Sequence, residues 1–194
     1  MKTKNVIILG ASGNIAKHVI DILVMKDDIN LTLFLRNVRR LKNKDVSKCR
    51  VIEGNVLNYQ QLKEAIKGQD IVYANLAGDL EGMAKNIAKA MDEMGVKKLI
   101  FISSIGIYDV PLRPVLAPYR KAADIIEASD LEYTILRPTW FTNANEVDYE
   151  ITRKGEPEKG SVISRQSLAT LITKIIDTPE KYNHENLGVN KPNS

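Results

Sequence analysis

The chain has 194 residues, 44% hydrophobic and 27% charged, with a formal net charge of +4, which is enough to bury a sizeable core in one domain without stapling. Its single cysteine, Cys49, excludes an internal disulfide, has no metal-ligand spacing around it, and reads as a small apolar filler near a strand in a reducing, cytosolic compartment. The charged opening and the short run Val6-Ile7-Ile8-Leu9 imitate a signal peptide, but no segment approaches the roughly 18 apolar residues of a membrane span, so a soluble cytoplasmic protein with no membrane partner is expected.

Along the chain, short β-branched runs alternate with longer stretches whose apolar residues recur every three to four positions, the pattern of an α/β chain. In order, the pattern predicts a strand at Val6–Leu9, a helix over Asn14–Met25, strands at Leu31–Leu35 and Arg50–Glu53, a helix over Gln60–Lys67, a strand at Ile71–Asn75 and a helix over Leu80–Met94. A strand at Leu99–Ser103, a helix over Pro118–Ser129, a strand at Tyr133–Leu136 and a helix over Ser167–Asp177 follow. The strands are apolar enough to be buried on both faces of a parallel sheet. Gly68 and Gly95 stand where helix C-termini favour a left-handed residue. Six strands joined by right-handed crossovers predict a doubly wound, mostly parallel Rossmann sheet, one domain over 1–194. Residues 139–194 are expected to form a small C-terminal lobe on the substrate side, and Arg153 to Gly160 a surface loop.

The most informative segment follows the first strand: Gly10-Ala11-Ser12-Gly13-Asn14-Ile15-Ala16. Here the backbone must turn sharply, pass close to a pyrophosphate and enter a helix whose N-terminal N–H groups face the anion, and glycine permits both steps. Gly10 ends the strand, Gly13 allows the close approach, and the small Ala16 fits where helix and sheet pack. Gly10, Ser12, Gly13, Asn14 and Ile15 are therefore expected to bind a dinucleotide. The position after the second strand that carries a carboxylate for an NAD ribose is Arg36, with Asn37, Arg39 and Arg40 beside it. A guanidinium there favours a 2′-phosphate, so NADP(H) is preferred and NAD(H) possible. Beyond the third strand, Asn55 is placed to bond the adenine amino group and Val56 lies beside it. Asn75-Leu76-Ala77-Gly78, after the fourth strand, lets the backbone run beside the adenine ribose and pyrophosphate, with Ala77 and Gly78 as the binding candidates. The basic stretch from Arg36 to Arg50, including Lys42, Lys44 and Lys48, reads as a 2′-phosphate site edged by a solvated face. It has no interleaved aromatic residues for base stacking, so nucleic acid is not an expected partner.

With Leu35-Arg36-Asn37, Gly54-Asn55-Val56, Phe101-Ile102-Ser103-Ser104 and above all Ser129-Asp130-Leu131-Glu132-Tyr133-Thr134-Ile135-Leu136-Arg137-Pro138 and Ile163-Ser164-Arg165, nearly the whole chain resembles the atypical short-chain dehydrogenases/reductases. These are the single-domain NAD(P)-binding kind grouped with NmrA-like and biliverdin-reductase-B-like proteins in the epimerase/dehydratase superfamily. The resemblance implies that the serines ending the fifth strand, Ser103 and Ser104, face nicotinamide and substrate, that Pro138 adjoins the cofactor, and that a Tyr-x-x-x-Lys pair on the next helix supplies the acid. An ammonium near a phenol favours phenolate, but here Tyr119 is followed at the fourth position by Ala123, and the nearest amine, Lys121, is two residues on and points elsewhere around the helix. Tyr119 itself stands at the family's lysine position.

Ser103, Ser104, Tyr119 and Lys121 are the catalytic candidates, with Tyr108 also near the reaction site and Ser104 first for bonding a substrate. Trp140 and Phe141 wall an aromatic acceptor, or one of them belongs to a small core. Two functions are expected from this pattern. One is NADPH-dependent reduction of a small planar acceptor, a quinone, flavin or carbonyl compound. The other is a non-catalytic, NADP(H)-sensing regulator.

Overall fold

The computed structural model describes residues 3–41 and 45–194. Among these, β1 (Lys4–Leu9) leads through a tight turn into α1 (Asn14–Leu23) and β2 (Ile29–Leu35), and a 3-10 turn at Val38–Leu41 precedes β3 (Arg50–Glu53). Then come α2 (Tyr59–Ile66), β4 (Ile71–Ala74), α3 (Leu80–Met94), β5 (Lys98–Ile102), α4 (Ala117–Glu127) and β6 (Glu132–Pro138). The remainder holds β7 (Trp140–Thr142), β8 (Glu150–Arg153), β9 (Val162–Ser164), α5 (Arg165–Asp177) and β10 (Glu185–Asn190). The first six strands and all five helices lie within two residues of the positions read from periodicity.

Eight strands form one sheet in the order β3-β2-β1-β4-β5-β6-β10-β8, parallel except where β8 runs antiparallel to β10. Alternation along the strands supplies two cores. Val6 and Ile8 of β1 pack with α1 and α5, while Ile7 and Leu9 pack with α2, α3 and α4. Helix α1 buries Ile15, Ala16, Val19, Ile20 and Leu23, one stripe at helical spacing. Gly95 ends α3 in the left-handed conformation (φ 69°), its N–H returned to Met91 and Asp92 carbonyls.

One expectation needs correction. Strand β3 is not buried on both faces: it is the sheet edge, with Arg50, Val51 and Glu53 exposed. Within residues 139–194, β10 and β8 extend the main sheet beyond β6, and β7 and β9 form a second, two-stranded sheet. Within the expected loop from Arg153 to Gly160, Arg153 ends β8.

Candidate functional site

Strand order reverses between β1 and β4, and an open α/β sheet binds ligands at that point, beyond the carboxyl ends of its strands. A cleft of about 580 Å³ opens there, lined from the ends of β1, β2, β3 and β4 and closed on one side by Phe141. The turn after β1 is packed to its limit. Gly10 has φ 82°, its N–H donates to Phe34 O at 2.9 Å, and a Cβ on it would lie 2.2 Å from the Asn75 carbonyl oxygen. Gly13 donates to Gly10 O at 2.9 Å, and a Cβ there would lie 2.3 Å from Asn75 Nδ2. Both glycines therefore make a cradle that any side chain would fill. Gly13 also caps α1 without a side-chain hydrogen bond, so the helix N-terminus is turned to the cleft with no side chain satisfying it. This chemistry fits the pyrophosphate of a dinucleotide.

Of the residues expected to bind the cofactor, Gly10, Ser12, Gly13, Asn14, Ile15, Arg36, Asn37, Asn55, Val56 and Ala77 line the cleft. Gly78 lies one residue past its wall and Pro138 is outside the lining, its carbonyl accepting from Ile105 N–H at 3.2 Å. Arg36, Asn37 and Arg40 stand exposed at the end of β2, and among the described residues no carboxylate lines the cleft. Glu53 reaches this turn but accepts from Val38 N–H at 3.0 Å outside the lining. The Asn55 oxygen assigned to adenine accepts from Leu57 N–H at 3.0 Å. Lys42 and Lys44 of the basic stretch lie outside the described residues.

The catalytic candidates do not converge. Ser103 is 4% exposed and its Oγ has no hydrogen-bond partner; half-buried Ser104 donates to Ile105 O at 3.1 Å. Neither lines the cleft. Lys121 is exposed and pairs with Glu81 of α3 at 3.0 Å. Hydrogen bonds from Lys85, then Lys121, hold the Glu81 carboxyl at about 2. Tyr119 packs half-buried against the core on the α2–α4 side, outside the cleft. Tyr108 donates to Glu127 at 3.2 Å and accepts from Asn186 at 2.7 Å, away from the cleft. Trp140 is 74% and Phe141 39% exposed, so neither is core, and only Phe141 lines the cleft.

Asn75 and Leu76, read with Ala77 and Gly78 as the segment along the dinucleotide, line the cleft, whereas reading by motif missed Phe34 and Met83. Met83, on α3, carries no sequence signal. Among the described residues no group of three His, Cys, Asp or Glu side chains is placed to hold a metal, and no helix is long and apolar enough to cross a membrane.

Fold and cleft together define a nicotinamide-nucleotide-binding Rossmann protein of the short-chain dehydrogenase/reductase kind. Residues 10–179 match the family model described as NAD(P)H-binding, and the chain belongs to that family. It is 50% identical to a Rossmann-fold NAD(P)-binding family protein from Shigella flexneri, over 99% of this chain and 95% of that one, with a TM-score of 0.92. A short-chain dehydrogenase/reductase from Veillonella parvula, solved in complex with NADP, is 27% identical over 98% of this chain and 95% of its own, with a TM-score of 0.88. An isoflavone reductase homolog A622-like protein of Nicotiana tabacum is 25% identical over 92% of this chain, which spans 66% of the plant protein's length.

Proposed function

We propose that this protein uses NADPH in preference to NADH to reduce a small planar acceptor of quinone, flavin or carbonyl chemistry. The observation that carries this reading is the composition of the cleft: Arg36 and Arg40 on the rim past β2, Asn37 between them, and no carboxylate in the lining among the described residues. Two guanidinium groups attract a 2′-phosphate, whereas a carboxylate would repel it and bind the free ribose hydroxyls instead. The NADP complex of the Veillonella relative and the reductase name of the plant relatives lend support.

When bound, the nicotinamide supplies the hydride. The chain's own residues bind and orient: the Gly10–Gly13 turn and the α1 N-terminus take the pyrophosphate, and Arg36 the 2′-phosphate. The Phe141 ring walls the side of the cleft where a planar acceptor stacks. Ser104, with Ser103 beside it at the end of β5, bonds the acceptor's oxygen and stabilises charge as it develops. Acceptors that need little proton help suit a site without a Tyr–Lys acid. That feature also favours a second reading: with Lys121 paired to Glu81, outside the cleft, the protein binds NADP(H) as a sensor without turnover.

The deciding experiment is NADPH oxidation across a panel of quinones, flavins and aldehydes. Slow turnover with at least one class, reduced about tenfold or more by Ser104→Ala, is expected. Tight NADPH binding with no turnover on any acceptor would transfer the conclusion to the sensor.

A further inference from the structure

Arg137 is among the largest fully buried side chains, 1% exposed on β6, and a buried guanidinium persists only where every donor finds an acceptor. Its Nη1 donates to the backbone and side-chain oxygens of Asn186 on β10, and its Nε donates to Glu158 Oε1 at 2.8 Å. Gly188, its register partner on β10, lies beside it, and the missing side chain there makes room for Thr152 of β8, whose Oγ1 would stand 2.4 Å from a Cβ. The second carboxylate oxygen of Glu158 does something else: it accepts from Gly106 N–H at 2.9 Å.

Gly106 is buried, has φ 79°, and lies two residues past Ser104 in the turn that leaves β5. Other described backbone bonds from this turn are Ser103 N–H to Leu136 O at 2.8 Å and Ile105 N–H to Pro138 O at 3.2 Å. All three tie the Ser103–Gly106 turn, directly or through Glu158, to the end of β6. The main-chain bonds follow from sheet pairing, but the Glu158 bond is a side chain reaching in from the segment after β8.

We propose that Glu158 is a positioning residue, its carboxylate bridging buried Arg137 and the Gly106 N–H to fix the Ser103–Ser104 turn at the carboxyl end of β5. The proposal rests on the reductase reading above. Its chemistry is specific, because both partners are donors and only a carboxylate offers each an acceptor oxygen. A glutamine in the same place accepts from one and turns its NH2 toward the other. Lys154, which pairs with Glu127 at 2.7 Å and lies 4.8 Å from the centroid of the Tyr108 ring, fastens the same segment to α4 without a hydrogen bond to the Gly106 N–H, and so separates anchoring of the segment from the carboxylate bridge.

The test compares E158Q and K154M with the wild type at a temperature well below both melting midpoints. NADPH affinity, the kcat and KM for the best acceptor, and hydrogen exchange of the Gly106 amide are measured for each. E158Q is expected to keep NADPH affinity, lose about tenfold in acceptor kcat and expose the Gly106 amide to faster exchange. K154M is expected to lower the melting midpoint while turnover and Gly106 protection stay at wild-type values. Wild-type Gly106 protection in E158Q, or a K154M variant that loses turnover as far as E158Q, would overturn the proposal. Wild-type turnover on the acceptor panel judges the reductase reading, and Gly106 exchange judges the bridge without any turnover, so the two failures are distinguishable.

Discussion

Gly10 and Gly13 are three residues apart in one turn, yet the structure gives them different work. At Gly10 a side chain meets the backbone carbonyl of Asn75, which cannot swing away, and φ 82° adds strain for any L-residue. At Gly13 the conformation is ordinary (φ −66°) and the obstacle is the Asn75 side-chain amide, which can rotate. Gly10→Ala is therefore expected to lower stability by about 2 kcal/mol or more. Gly13→Ala is expected to leave the melting midpoint nearly unchanged and to weaken NADPH binding about tenfold, since its methyl group occupies the approach of the pyrophosphate. Thermal melts and calorimetry on the two variants check this, and equal stability losses with undiminished affinity in Gly13→Ala would count against the cradle.

Strands β5 and β6 and the segment before β10 are joined at one end by a buried lysine. Lys98 donates to Thr134 Oγ1 at 2.8 Å and to Asn183 Oδ1 at 2.7 Å, and the Thr134 hydroxyl in turn donates to Tyr182 O at 2.7 Å. Burial pushes the ammonium down to about 8, with Glu132 and Glu180 opposing only in part. Because the folded value lies below that of the unfolded chain, the unfolded state binds more protons above pH 8, and stability from this group rises with pH there. The wild type should gain stability relative to Lys98→Met as pH climbs from 8 toward 10, read as a widening difference in melting midpoint. A difference constant across that range would contradict it. The same neighbourhood explains what periodicity missed. Strand β10, Glu185-Asn186-Leu187-Gly188-Val189-Asn190, shows no apolar strand pattern because Asn186 receives Arg137 and Gly188 makes room for Thr152 instead of filling an apolar core. Strands β7, β8 and β9 are three or four residues long with Thr, Glu or Ser among them, too short for alternation to register.

At the scale of the molecule, the Rossmann sheet from β1 to β6 was legible because buried parallel strands and amphipathic helices each leave a distinct period. The dinucleotide turn was legible because Gly10 and Gly13 sit between a strand and a helix. Phe34 and Met83 were not, since their place in the cleft depends on β1 lying between β2 and β4 and on how α3 packs beside it. Tyr119 and Lys121 show the reverse case: sequence distance kept them beside the catalytic candidates, and the α3–α4 packing took Lys121 to Glu81. What the whole arrangement argues most strongly is a phosphate-seeking cleft, and calorimetric titration of NADPH and NADH into the wild type and Arg36→Asp tests that directly. The account predicts that NADPH binds the wild type at least about tenfold more tightly than NADH, and that Arg36→Asp narrows or inverts the preference. Equal affinities for the two nucleotides in the wild type would contradict it.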